Sequence, residues 1–136
     1  MSSPGARAKH PPVEHSPGFL RLVADAKTRV RETTPEEVRR RQQAGERFHL
    51  VDVREDREWQ QGHARGARHL SKGIIERDIE KSIPDREAEI VLYCGGGFRS
   101  ALAADALQKM GYTRAESMDG GWRAWTAAGL PVVRES

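Results

Sequence analysis

Two short segments of the chain are rich in apolar residues. FHLVDV at 48–53 and EIVLYC at 89–94 have the length and composition of strands that are buried on both faces. Shorter patterns predict two further strands, at 67–70 and within the segment AESMDGG at 115–121. Because strands buried on both faces need cover on both sides, we expect helices above and below the sheet.

Apolar residues at helical spacing fill the segments around these strands. The clearest helix is TTPEEVRRRQQAG, in which Thr34 is the N-cap, Glu37 completes a capping box and Gly45 ends the helix. Another is predicted from Ser16 to about Arg29, because a serine followed by a proline is a common helix start. The remaining helices are predicted at 55–61, 73–81, 100–111 and 121–129.

Strands that alternate with helices along a chain indicate an α/β fold with a parallel sheet. The length of 136 residues fits one compact domain. We place this domain at 30–134 and the additional N-terminal helix at 16–29. Residues 1–15 are rich in Pro, Ser, Gly and His without a period, which predicts a disordered or loose arm.

Composition and charge exclude several classes of function. The formal net charge is +3, and the densest basic run, VRRRQQ at 38–43, is interpreted as a solvated helix face, so we expect no nucleic-acid partner. Nothing approaches the roughly 20 apolar residues of a membrane span, and the N-terminal segment lacks the apolar stretch of a secretory signal. We therefore expect a cytoplasmic protein with no membrane partner. A single cysteine excludes an internal disulfide and a metal site built from paired cysteines.

That cysteine, Cys94, ends the second apolar run and begins the segment CGGGFRS. The order of strand, glycine-rich loop and helix places it at the carboxyl end of a central strand, where open α/β sheets bind ligands. The glycines at 95–97 allow successive backbone N–H groups to point into one concavity, and the following helix adds its positive end. With the cation of Arg99 nearby, this environment favours a thiolate and an anion bound beside it.

Two chemistries use such a loop, attack on phosphorus and attack on sulfur. Phosphatase loops have the spacing C-x5-R, whereas Cys94 and Arg99 enclose four residues. The shorter ring leaves space for a sulfur atom but hardly for a phosphate, which disfavours a phosphatase or an arsenate reductase. The segment GGGFRS also lacks the lysine of a phosphate-binding P-loop and is not a dinucleotide fingerprint.

Three other segments accompany the cysteine loop: LVDVRE at 50–55, GHARGARHL at 62–70 and MDGGWRAW at 118–125. In this order and at this spacing, the four segments together resemble the rhodanese homology domain family of single-domain sulfurtransferases. The resemblance covers roughly 30–133. It implies a rhodanese-like three-layer α/β/α fold, a mostly parallel five-stranded sheet, a cysteine that carries a persulfide, and no metal or organic cofactor.

The resemblance also implies the roles of individual residues. Cys94 is the nucleophile. The residues that cradle its sulfur and bind the donor are Gly95, Gly96, Gly97, Phe98, Arg99 and Ser100. Arg54, in DVR, matches a position that faces the site in the family and helps to bind an anionic donor, while Asp52 ties the strand end to neighbouring loops.

The function implied is transfer of a sulfane sulfur from a small anionic donor such as thiosulfate, through a Cys94 persulfide, to a thiophilic acceptor. Cyanide, a thiol or a protein cysteine can serve as that acceptor. Thiosulfate-using members carry cationic side chains just after the cysteine, where this chain has Gly95 and Gly96, so the donor stays open. The alternative is a non-catalytic module that senses persulfide or redox state or binds a protein. The retained cysteine favours the enzyme.

Overall fold

The structure of this chain, a computed structural model, describes residues 14–134. In chain order the elements of this part are α1 (Pro17–Lys27), β1 (Arg31–Thr33), α2 (Pro35–Gln43), β2 (His49–Asp52), α3 (Asp56–Gln61), β3 (His63–Ala64), β4 (Ala67–His69), α4 (Ile75–Ser82), β5 (Ile90–Tyr93), α5 (Phe98–Lys109), β6 (Ala115–Met118), α6 (Gly121–Ala127) and β7 (Val132–Val133). The predicted arm at 1–15 falls almost entirely outside the described residues.

Five of the strands form one sheet in the order β1-β6-β5-β2-β4. Every neighbouring pair in this sheet is parallel, which confirms the predicted α/β class. The central strand is β5, the more apolar of the two runs that the sequence indicated. The remaining strands, β3 and β7, pair antiparallel in a separate two-stranded sheet.

Helices cover both faces of the sheet, and alternate residues of β5 divide the core between them. Ile90 and Leu92 belong to a cluster with buried residues of α4 and α5. Val91 and Tyr93 belong to a second cluster with buried residues of α2 and α6. All four side chains are at most 1% exposed. This confirms the three-layer arrangement and places Cys94, next in the alternation, on the α5 face.

Helix α1 packs on the outer side of α5 through its buried residues Val23 and Ala26. Arg29, just after the helix, donates two hydrogen bonds of 2.9 Å to the carboxylate of Asp105 on α5. Apolar burial and a two-point ion pair therefore hold the N-terminal helix against the helix that begins in the cysteine loop.

Most local signals in the sequence are confirmed, with shifts at the ends of elements. The Thr34 hydroxyl accepts a hydrogen bond from the Glu37 N–H at 3.1 Å, as an N-cap should. Helix α5, for example, begins at Phe98 rather than at Ser100, because Gly97 adopts φ +99° and caps the helix. None of the helices within residues 14–134 is both long enough and apolar enough to pass through a membrane.

Candidate active site

The position of Cys94 follows directly from the sheet order. It is the residue after β5, so it lies at the carboxyl end of the middle strand of the parallel sheet. Its side chain points towards α5, and the residue is 1% exposed. The three glycines that follow lead the chain directly into α5. The strand, the loop and the helix thus bring a buried thiol to the edge of the sheet where such folds bind ligands.

Hydrogen-bond donors of the loop converge on the sulfur atom. The backbone N–H groups of Gly97 and Ser100 donate to Sγ at 3.2 and 3.3 Å. The Ser100 hydroxyl oxygen lies 3.5 Å from Sγ and 2.8 Å from the hydroxyl oxygen of Ser117, a fully buried residue of β6. Donors aimed at one atom stabilise negative charge on it, so the loop suits an anionic sulfur.

The segment MDGGWRAW holds the cysteine loop in this shape. The N–H groups of Trp122 and Arg123, at the start of α6, donate to the carbonyl oxygens of Cys94 and Gly95 at 2.7 and 3.0 Å. Gly121 makes this approach feasible: its φ is +52°, and a Cβ there would lie 2.3 Å from the Cys94 carbonyl oxygen. The two glycine-rich segments of the sequence are therefore in direct contact.

Arg99 is oriented by a carboxylate from another element. Its guanidinium donates to both oxygens of Glu58, on α3, at 3.0 and 3.2 Å. These hydrogen bonds are the main reason that the pKa of Arg99 is raised. Burial pushes the pKa of Glu58 upwards, but the hydrogen bonds from Arg99 and from the Glu55 N–H outweigh it, so the pKa lies below its ordinary value. The charge of Arg99 is thus balanced by an ionised Glu58.

A cavity of about 580 Å³ opens beside the sulfur. Its lining residues are His15, Phe19, Cys94, Gly95, Gly96, Phe98, Arg99 and Arg123. Most of the predicted site residues therefore lie together around this cavity. Gly97 and Ser100 are buried and do not line it, but their N–H groups contact the sulfur. The Arg123 guanidinium lies over the bare backbone of Gly96, where a Cβ would be 3.4 Å from its Nη1 atom.

Arg54 is the one predicted site residue that neither lines this cavity nor contacts the sulfur. It is 3% exposed, and its guanidinium binds both carboxylate oxygens of Asp52 at 2.8 to 3.1 Å. It also donates to the Gly62 carbonyl oxygen at 2.6 Å and packs 4.5 Å from the centre of the Trp122 ring. The structure thus assigns Arg54 to the joining of the β2 end to its neighbouring loops, which is the role that the sequence predicted for Asp52.

Sequence reasoning missed five residues of the site, namely Glu58, Ser117, Arg123, His15 and Phe19. The strand alternation at 115–118 could have identified Ser117, because it places every second residue on the α5 face. Arg123 stands within the MDGGWRAW segment, but no local pattern indicates that its side chain reaches the loop. Within residues 14–134, no three His, Cys, Asp or Glu side chains gather in a way that could hold a metal ion.

Two curated proteins with sequences similar to this chain have sulfurtransferase names. The chain is 34% identical over 84 residues to the thiosulfate sulfurtransferase GlpE of Vibrio cholerae, covering 62% of this chain and 77% of that protein. It is 37% identical over 112 residues to the probable adenylyltransferase/sulfurtransferase MoeZ of Mycobacterium tuberculosis, covering 79% of this chain. The match spans only 28% of the length of MoeZ.

A solved structure extends the likeness to the whole fold. A Rhodopseudomonas palustris protein of unknown function, described as a possible tyrosine phosphatase, aligns with a TM-score of 0.79 at 27% identity, over 90% of this chain and 99% of that one. The family model described as the Rhodanese-like domain matches residues 34–128. The chain therefore belongs to the rhodanese-like domain family.

Proposed function

We propose that this chain is a sulfurtransferase that moves a sulfane sulfur from a small anionic donor to a thiophilic acceptor through a persulfide on Cys94. The observation that carries the proposal is the convergence of the Gly97 and Ser100 N–H groups on Sγ, at the wall of a cavity that is open to a donor. The names of the GlpE and MoeZ relatives give the same class of reaction.

In the first half-reaction, the Cys94 thiolate attacks the outer sulfur of thiosulfate. An S–S bond forms to the protein, the S–S bond of the donor breaks, and sulfite leaves with the bonding electron pair. The N–H groups that faced Sγ now lie beneath the persulfide and keep its negative charge stabilised. In the second half-reaction, cyanide or a thiolate attacks the outer sulfur and the Cys94 thiolate is regenerated.

Donor binding is assigned to Arg123 and to the exposed backbone of the loop. Since Glu58 holds the guanidinium of Arg99, Arg123 is the permanently charged group of the cavity that has no ion-pair partner among residues 14–134. It lies over Gly96, close to the place where thiosulfate-using relatives carry a cation in the loop itself. Arg123 therefore supplies from α6 the charge that the glycine loop lacks.

The competing enzyme class is a phosphatase. It is worth testing because the structurally similar R. palustris protein is described as a possible tyrosine phosphatase. The structure disfavours it on one point: the loop closes so tightly that two N–H groups and the Ser100 hydroxyl contact Sγ itself. A phosphate bound above the thiolate needs the two N–H groups for its own oxygens. Hydrolysis of a generic aryl phosphate at a rate that depends on Cys94 would favour the phosphatase.

The decisive experiment is intact-protein mass spectrometry after incubation with thiosulfate. We expect the wild-type protein to gain one sulfur atom, and cyanide to remove it again with release of thiocyanate. Cys94→Ser is the matched control, because it changes one atom of the only thiol in the chain. Thiocyanate production by the Ser variant at the wild-type rate would contradict the proposal. A wild-type protein that accepts no sulfur from any sulfane donor would favour the non-catalytic module.

A further inference from the structure

One wall of the cavity beside Cys94 is aromatic, and most of it comes from outside the segment that matches the family model. His15 and Phe19, before and within α1, pack against Phe98 of the cysteine loop with ring centres 4.7 and 6.2 Å from it. His15 and Phe19 also contact each other at 5.1 Å. The family match begins at residue 34, so α1 adds this wall to the domain.

The lining of the same cavity carries one unbalanced positive charge. Arg99 and Arg123 are the permanently charged residues that line the cavity, and Glu58 neutralises Arg99. A single guanidinium matches a monoanion better than a dianion such as thiosulfate. Arg123 lines the same cavity as the aromatic wall, so one ligand can place an anionic group at Arg123 and a hydrocarbon group against the aromatic rings.

We propose that the preferred donors are organic thiosulfonates, R–SO₂–S⁻, whose hydrocarbon group R packs against Phe19, His15 and Phe98 while the sulfonyl oxygens face Arg123. This inference rests on the proposed sulfurtransferase function and names its substrate class. It makes α1 part of the active site. The Cys94 thiolate attacks the outer sulfur, the new S–S bond forms, and the sulfinate R–SO₂⁻ leaves with the electron pair of the broken bond.

The test compares benzenethiosulfonate with thiosulfate as donors to cyanide. Phe19→Ala removes the aromatic wall, and Leu22→Ala is the matched control, because Leu22 is an exposed apolar residue of the same helix that does not line the cavity. We expect Phe19→Ala to lower kcat/KM for benzenethiosulfonate by roughly threefold to tenfold, mainly through KM, and to lower it much less for thiosulfate, so that the ratio of the two values falls. Leu22→Ala should change neither donor, and Phe19→Leu should recover part of the loss.

A second measurement separates this proposal from the proposed function. Benzenesulfonate, which has no sulfur to transfer, should bind to Cys94→Ser in calorimetry, and adding Phe19→Ala should weaken the binding by a similar factor. Phe19-dependent binding without any sulfur transfer by the wild type would overturn the function and uphold the aromatic subsite. Transfer with a benzenethiosulfonate-to-thiosulfate ratio that Phe19→Ala leaves unchanged would overturn the subsite and uphold the function. Because Phe19 is only half-buried, its truncation leaves the core intact, which equal thermal stability of the two alanine variants would verify.

Discussion

Replacing Gly121 by alanine tests whether α6 must approach the cysteine loop as closely as the structure shows. Gly121 has φ +52°, in the left-handed region, and its Cβ would stand 2.3 Å from the Cys94 carbonyl oxygen and 3.0 Å from the backbone carbon atoms of Cys94 and Gly95. These neighbours are backbone atoms of the loop, so they cannot rotate away. Helix and loop would have to separate by roughly 1 Å to reach ordinary van der Waals contact.

The expected loss of stability in Gly121→Ala has two parts, and a second glycine in the chain allows them to be measured separately. Placing alanine in the left-handed region costs about 1–2 kcal/mol. The separation also weakens the hydrogen bonds from the Trp122 and Arg123 N–H groups to the loop, each with a net value of about 1 kcal/mol. We expect Gly121→Ala to lower the free energy of unfolding by about 2–4 kcal/mol. Gly129→Ala is the matched control, because φ is +70° there and no atom lies within 4 Å of the added Cβ, so it bears only the first cost.

Urea unfolding of both variants, with kcat/KM for sulfur transfer to cyanide, measures the two consequences. Gly121→Ala should lose roughly 1–2 kcal/mol more than Gly129→Ala, which is the value of the two hydrogen bonds. It should also lower kcat/KM, because displacement of the Cys94 carbonyl carries the sulfur with it, whereas Gly129→Ala should not. Equal losses of stability and unchanged kinetics in both variants would refute the claim that α6 holds the loop.

Three further changes test other parts of the site and the core. Arg123→Gln should raise the KM for thiosulfate about fivefold to tenfold while kcat stays near its original value, because the lost cation binds the donor without touching the sulfur; a loss confined to kcat in steady-state kinetics would contradict this. Glu58→Gln should remove a pH-dependent stabilisation: the pKa of Glu58 lies below its ordinary 4.5, so the ionised carboxylate stabilises the fold above that pH and ceases to do so as the pH falls through the lowered pKa. Urea unfolding should therefore separate this variant from the wild type by about 0.5–1 kcal/mol at neutral pH, and the difference should shrink as the pH falls below 4.5; a difference that stays constant with pH would exclude the ion pair with Arg99 as its cause. Tyr93→Phe should cost about 1–3 kcal/mol, because the buried Ala64 N–H that donates to the Tyr93 hydroxyl at 3.0 Å would lose its acceptor, and thermal unfolding at an unchanged temperature would show that another acceptor replaces it.

The sequence predicts those elements whose burial can be recognised from a local run of apolar residues. The runs at 48–53 and 89–94 contain β2 and β5, since central strands of a parallel sheet are apolar on both faces. Arg31–Thr33 carries no such signal: it is a polar edge strand, and its pairing with β6 depends on the rest of the sheet. The strands β3 and β7 are too short to show any period.

The site likewise has a part that the local sequence predicts and a part that it does not. The cysteine loop could be predicted because its chemistry is continuous in sequence, from the nucleophile to the glycines and the helix that follow it. The partners that complete it come from other elements: Glu58 from α3, Ser117 from β6 and Arg123 from α6. Arg54 shows the opposite case, since the family pattern gave it a role towards the donor and the structure shows it paired with Asp52.

The bare loop and the cations around it are two aspects of one arrangement. A Cβ at position 95 would lie 3.3 Å from Nη2 of Arg99, and a Cβ at position 96 would lie 3.4 Å from Nη1 of Arg123. Any longer side chain in the loop would push one of the guanidinium groups away, and a lysine there would also repel it. In this chain a cation in the loop and the guanidinium of Arg123 over the loop would therefore compete for the same space, and our proposal assigns donor binding to Arg123. Because Arg123 rather than a loop side chain occupies this space, the part of the cavity that His15, Phe19 and Phe98 line stays open to the apolar group of the proposed donor.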